Sequence, residues 1–136
     1  MISSRIFGAG WYGVAMFLVT INKMRRLFCV NYIGQVTPAE MLHGIEETRQ
    51  LLADLPAGFR MLTDFSRMEG IDLDCVGPIG QLMELVDKGG VEVVVRVIPD
   101  ATKDIGMNML SVFHYPRRPE FVTCETLAEA GRFLKL

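Results

Sequence analysis

The sequence has few of the residues that build catalytic and metal centres. Its 136 residues include two histidines and three cysteines, and Cys29, Cys75 and Cys124 are widely spaced and odd in number. Because the sequence has no CxxC pair, it encodes neither a disulfide framework nor a zinc knuckle. We therefore expect no metal or cofactor, and a reducing compartment, the cytoplasm, as the location.

An excess of positive charge is also missing. The formal net charge is -2, half of the residues are hydrophobic, and no basic stripe suited to a phosphate backbone is present. The glycines of the second half of the chain match neither a Walker loop nor a dinucleotide-binding fingerprint. These absences argue against nucleic acid and nucleotides as partners.

The sequence also lacks a hydrophobic run long enough to span a bilayer. Residues 6–21 (IFGAGWYGVAMFLVTI) carry no charge, but a membrane helix needs about 20 apolar residues. Their second half, FLVTI, is followed by NKMRR and LFCVNYI, which predicts a β-hairpin. We expect residues 1–15 to be a leader of uncertain order, residues 16–136 to be one domain, and no firm membrane association. Export or anchoring through this stretch is the alternative.

Helix and strand signals alternate after the hairpin. Thr37, Pro38 and Glu40 form a helix start, and Pro56 ends that helix. The later elements predicted by pattern are a strand at 59–65, a helix ending at Gly89, a strand at 91–98 covered on both faces, a helix at 102–113, a strand at 121–124 and a closing helix at 125–136. This order predicts a single layered α/β domain with an N-terminal hairpin and a mostly parallel mixed sheet.

The centre of the chain resembles a STAS domain, the fold of bacterial anti-sigma-factor antagonists and of STAS/SEC14-like proteins. The resemblance lies in the order of the elements. A strand ending in Asp64-Phe65-Ser66 is followed by a short link to Ile71-Asp72, a helix that ends at Gly89-Gly90 and the strand at 91–98, which is rich in β-branched residues. The resemblance extends from Phe17 to the end of the chain. It implies a non-enzymatic regulatory module whose protein partner is kinase-like or a sigma regulator, and it leaves a homodimer open.

The sequence departs from this family at the start of the second helix. Where the antagonists carry Asp-Ser-Ser-Gly, with a serine phosphorylated by the kinase, this chain has Asp72-Leu73-Asp74-Cys75. No hydroxyl remains there to accept phosphate, whereas Asp74 supplies one permanent negative charge and is expected to cap the helix. The predicted partner-binding residues are Ser66, Met68, Glu69, Asp72, Leu73, Asp74 and Cys75.

Two kinds of chemistry compete with this interpretation. Cys75 near a helix N-terminus could act as a nucleophile, with His43 or His114 as its base. Alternatively, Asp64, Asp72 and Asp74 could gather around a magnesium ion. Structural and solvated roles for these side chains are favoured over both.

A binding protein for a small apolar ligand or lipid is the alternative to the interaction module. The nine methionines suit an adaptable apolar groove, lined either by Met107 and Met109 or by Met61, Met68 and Met83. Core packing is the more common use of such residues.

Overall fold

The computed structural model describes residues 2–3, 16–100, 111 and 114–136. A mixed sheet forms its centre, with its strands in the order of the sequence. Five strands of five or more residues are extended at one edge by the two-residue β1. The strands are β1 (Ile2–Ser3), β2 (Met16–Asn22), β3 (Leu27–Val36), β4 (Arg60–Ile71), β5 (Val93–Val97) and β6 (Glu120–Cys124).

The pairing directions confirm the predicted α/β class. β1 with β2 and β2 with β3 are antiparallel, which confirms the hairpin, and β3 through β6 are parallel. The described helices are α1 (Pro38–Leu52), α2 (Val76–Lys88) and α3 (Leu127–Leu134). The helix predicted at 102–113 lies, apart from Ser111, outside the described residues.

The start of α1 follows its sequence signals. The side chain of Thr37 accepts a hydrogen bond from the backbone N–H of Glu40 at 3.4 Å, with Pro38 at the first helical position. Glu40 is buried, and its Oε1 accepts from the backbone N–H of Phe17 at 3.4 Å. The helix is thereby joined to β2 as well as capped.

Helices cover both faces of the sheet. α1 and α2 lie on one face, over a large apolar core that includes Phe17, Phe28 and Val94. α3 lies on the other, where Leu134 packs with Val95 in a smaller core. Successive residues of β5 therefore enter different cores, which confirms the prediction of a strand covered on both sides.

β4 is longer than the sequence pattern predicted. The strand expected at 59–65 continues to Ile71, because its second half pairs with the end of β3. Asn31 pairs with Asp64 while Ile33 pairs with Arg67, so β4 carries one extra residue at this irregularity. Such bulges disturb the alternation of apolar and polar residues, and the extension was therefore not recognisable in the sequence.

Candidate functional site

The predicted site residues lie at the carboxyl edge of the sheet. β4 ends at Ile71, a 3-10 turn spans Leu73–Cys75, and α2 begins immediately afterwards at Val76. In open parallel sheets, binding sites form at this edge, where the strands end and the helices begin. The connection from β4 to α2 is therefore placed where a surface for recognition is expected.

Two apolar side chains on this connection face solvent. Leu73 is 88% exposed and Val76 is 50% exposed, while the flanking Asp72 and Asp74 are exposed carboxylates. Leu73 and the aspartates were among the predicted residues, whereas Val76 was not. The result is a small apolar projection bordered by negative charge.

A side chain from the neighbouring strand holds this connection in place. Nε2 of Gln35, near the end of β3, donates to Oδ1 of Asp72 at 2.9 Å. The backbone N–H of Asp72 donates to the carbonyl of Val36 at 3.2 Å, and that of Cys75 to the carbonyl of Asp72 at 2.9 Å. Gln35 was not predicted, since its role depends on a strand far away in sequence.

Cys75 requires a correction. Its side chain is fully buried, and Sγ donates to the carbonyl of Val36 at 3.7 Å. Burial, followed by the nearby charge of Asp72, raises the pKa of the thiol above its ordinary value of 9.0. The side chain is therefore neither accessible to a partner nor activated as the nucleophile considered from the sequence.

The prediction that Asp74 caps the helix was wrong. The cap positions are Asp72 for the 3-10 turn and Cys75 for α2, and neither side chain makes a capping hydrogen bond. Asp74 lies inside the turn, because the 3-10 residues precede the α-helix directly. Its carboxylate consequently remains on the exposed surface.

The other predicted residues lie on the extension of β4. Ser66 and Glu69 are exposed, whereas Met68 is half-buried and packs against the core beneath α1 and α2. The backbone N–H of Ser66 donates to Oδ1 of Asp64 at 2.9 Å, which satisfies the amide beside the irregular pairing. We define the Leu73 surface as the exposed residues Ser66, Glu69, Asp72, Leu73, Asp74 and Val76.

The three aspartates considered for magnesium do not form a metal centre. Asp64 turns to the backbone of Ser66, and Asp72 accepts from Gln35. Within the described part of the chain, no three His, Cys, Asp or Glu side chains lie close enough to hold a metal ion.

The two histidines pair with glutamates of the helices. Nε2 of His43 lies 3.0 Å from Oε1 of Glu47, one turn further along α1. Nδ1 of His114 lies 2.5 Å from Oε2 of Glu84 on α2. These partners provide ordinary structural roles for both imidazoles.

A partly open cavity between the sheet and α2 has a volume of about 20 Å³, enough for one water molecule. Its lining includes Met61 and Met83, two of the methionines considered for a groove. Small-molecule sites measure roughly 300 Å³ or more. This cavity therefore does not support the lipid-binding alternative, while Met107 and Met109 lie outside the described residues.

No described helix combines the length and apolar character needed to cross a bilayer.

Known proteins resemble this chain in structure. No family model and no curated protein matches its sequence. An uncharacterized DUF3478 protein with a SpoIIAA-like fold, from Shewanella loihica PV-4, is 16% identical with a TM-score of 0.62, and the match covers 98% of this chain and 93% of that one. The anti-sigma factor antagonist SpoIIAA in its unphosphorylated form is 16% identical with a TM-score of 0.56, over 88% and 97% of the respective chains. The fold of this chain is therefore SpoIIAA-like, that is, STAS-like, as the sequence resemblance implied.

Proposed function

We propose that this chain is a non-enzymatic regulatory module of the cytoplasm that binds a protein partner through the Leu73 surface. The observation that carries the proposal is the exposure of Leu73, between the carboxylates of Asp72 and Asp74, and of the nearby Val76, at the carboxyl edge of a SpoIIAA-like fold. Protein interfaces commonly place apolar side chains at their centre and charged residues at the rim.

The structural relative suggests the class of partner. SpoIIAA is an anti-sigma factor antagonist, and a structure of its unphosphorylated form implies that a phosphorylated form exists. A sigma-regulating or kinase-like protein is accordingly the proposed partner. Because Asp74 stands where the family pattern has a phosphoacceptor region, we propose that binding here is constitutive and not switched by phosphate.

The chemistry of the Leu73 surface indicates what kind of surface the partner should present. An apolar pocket that receives Leu73 would remove its exposed area from water, and basic residues around that pocket would face Asp72 and Asp74. We therefore propose a partner that presents an apolar depression with a basic rim.

A charge reversal tests this assignment. A partner captured from lysate of the source cell and identified by mass spectrometry is titrated calorimetrically with the intact protein, with Asp74→Arg and with Asp54→Arg. Asp54 is an exposed aspartate after α1, at the other end of the sheet, and serves as the matched control. We expect Asp74→Arg to weaken binding by about tenfold or more, because like charges then meet at the rim. Asp54→Arg should leave the affinity unchanged.

Circular dichroism should show native folding of both variants, since both positions are exposed. Equal affinity of Asp74→Arg and the intact protein would remove this surface from the interaction. If no protein is captured and native mass spectrometry shows an extra small mass on the intact chain, the ligand-binding alternative replaces the interaction module.

A further inference from the structure

The turn between β2 and β3 carries the most exposed large apolar side chain among the described residues. Met24 is 96% exposed and is flanked by Lys23, Arg25 and Arg26. We name residues 23–26 the Met24 turn. An apolar side chain at the apex of a turn, bordered on both sides by cations, presents a combination suited to an interface between apolar and anionic material.

The Met24 turn has a defined conformation. The backbone N–H of Arg25 donates to Oδ1 of Asn22 at 3.1 Å, and that of Arg26 donates to the carbonyl of Lys23 at 3.2 Å. Arg26 adopts a left-handed conformation with φ of 52°, which closes the turn. These contacts fix the backbone of the turn, at which Met24 is exposed.

The two arginines of the turn donate to backbone carbonyl groups, whereas Lys23 has a carboxylate partner. Nη1 of Arg25 donates to the carbonyl of Lys135 at 3.2 Å, and Nη2 of Arg26 donates to that of Ala57 at 2.5 Å. Each of these bonds uses one of the five donors of a guanidinium and leaves its charge intact. Lys23 is paired with Asp54 at 3.8 Å, across an exposed contact that contributes little stability.

A second arginine contact enlarges the positive region. Arg60, at the start of β4, donates through Nη1 to the carbonyl of Leu134 at 2.7 Å and through Nη2 to that of Arg25 at 3.0 Å. The adjacent Lys135 is exposed. On the hairpin side, the amino edge of the sheet thus gathers cations from the hairpin, from β4 and from the end of α3, whereas the exposed Glu92 and Glu120 lie at the starts of β5 and β6.

The Met24 turn and the Leu73 surface lie at opposite ends of the molecule. Leu27 pairs with Arg60 at one end of the β3–β4 ladder, and Val36 pairs with Ile71 at the other. Nine steps along β3 at about 3.3 Å each separate the two ends by roughly 30 Å. The two highly exposed apolar side chains therefore stand in opposite electrostatic surroundings, one cationic and one anionic.

We infer that the Met24 turn docks on anionic lipid headgroups at a membrane surface. Met24 enters the interfacial region, while Lys23, Arg25 and Arg26 face the phosphate and carboxylate groups of the lipids. Attachment through one apolar side chain and a few cations is reversible and sensitive to salt. The opposite, anionic edge then points away from the membrane, so this inference is independent of the proposed function.

Vesicle sedimentation tests the inference. The intact protein is mixed with vesicles of phosphatidylcholine alone or of phosphatidylcholine with phosphatidylserine, at low and at high salt. We expect binding to the anionic vesicles that is released by salt. Met24→Asp should reduce the binding constant by about fivefold or more, because it removes the inserting group and adds a repelled charge. Leu73→Asp, a change at a similarly exposed position on the other edge, should bind as the intact protein does.

Equal sedimentation with both kinds of vesicle, or Met24→Asp binding as the intact protein does, would overturn the inference. The alternative binding partner of the Met24 turn is the anionic edge of a second copy of this chain. If the intact protein ignores the vesicles but forms a concentration-dependent dimer that Met24→Asp abolishes in sedimentation velocity, the membrane assignment is wrong. Native circular dichroism of the variants serves as the folding control.

Discussion

At the scale of single residues, Gly44 on α1 is the described glycine with the least room for a side chain. A Cβ atom added there would lie 2.1 Å from Cδ2 of Phe17, a fully buried ring of β2. The absence of a side chain therefore allows α1 to approach the sheet closely. Phe17 also packs edge-to-face against Tyr32, with ring centroids 5.0 Å apart, and is restricted from moving aside.

Gly44→Ala should lower the free energy of unfolding by about 1–3 kcal/mol, the usual cost of forcing extra volume into a packed core. Gly131→Ala in α3 is the control, since a Cβ there meets nothing within 4 Å. That change should stabilise the protein by up to about 1 kcal/mol through its helix propensity. Urea unfolding of both variants measures the difference, and equal stability of the two would contradict the role assigned to Gly44.

Arg96 is a buried, charged side chain that contacts neighbouring elements of the sheet. Arg96 on β5 is only 3% exposed, donates to the hydroxyl of Ser111, and lies 4.9 Å from the centre of the Phe121 ring. The hydrogen bond and the aromatic face offset part of the cost of removing the guanidinium from water. Phe121 in turn packs edge-to-face on Tyr115, so Arg96 connects β5 to β6 and to the segment before it.

At the scale of elements, α3 is the short helix that closes the second face of the sheet. Its N-terminal cap is Thr126, whose side chain accepts from the backbone N–H of Glu129 at 3.1 Å. At its other end, Arg60 donates to the carbonyl of Leu134 at 2.7 Å. Eight residues rarely form a stable helix alone, so tertiary packing must supply most of its stability.

Leu134→Ala should therefore destabilise the protein by about 2–5 kcal/mol, because the buried side chain leaves a cavity against Val95. Leu127→Ala on the same helix is the matched control, since Leu127 is 49% exposed. Its cost should stay below about 1 kcal/mol. Thermal and urea unfolding give both values, and a similar loss in the two variants would show that α3 does not cover the sheet as described.

At the scale of the whole molecule, several groups that release protons are buried. Burial raises the pKa of Cys75 and Cys124 above 9.0, and that of Tyr32 and Tyr115 above 10.0. The folded state holds these protons more tightly than the unfolded chain does. Their contribution to stability is therefore complete below the unfolded pKa values and falls as the pH rises above about 9.

We accordingly expect the urea midpoint to be steady between pH 7 and 8 and to fall progressively above about pH 9. The urea midpoint of the Cys75→Ala, Cys124→Ala double variant should fall less steeply between about pH 9 and 10, because two of the titrating groups are gone. Urea titrations of both proteins across this range measure the effect. A midpoint that stays constant to pH 10 in the intact protein would contradict the burial of these groups.

Local signals determined much of this fold. The hairpin depends on β-branched and aromatic runs around a polar turn, α1 on Thr37 and Pro38, and β5 on a run of valines interrupted only by Arg96. Each signal is contained in a few consecutive residues, so the chain order of helices and strands was predictable. The exposure of Leu73, Asp72 and Asp74 was also anticipated, from their position between a strand and a helix.

Tertiary structure alone decided the rest, because it depends on groups far apart in the chain. The extension of β4 exists through pairing with β3, and the contact between Gln35 and Asp72 spans 37 positions. Cys75 is buried because the end of β3 passes over it, although the sequence places it in an exposed connection. The sequence by itself determined which elements form, whereas their packing determined which side chains of the connection remain available for binding.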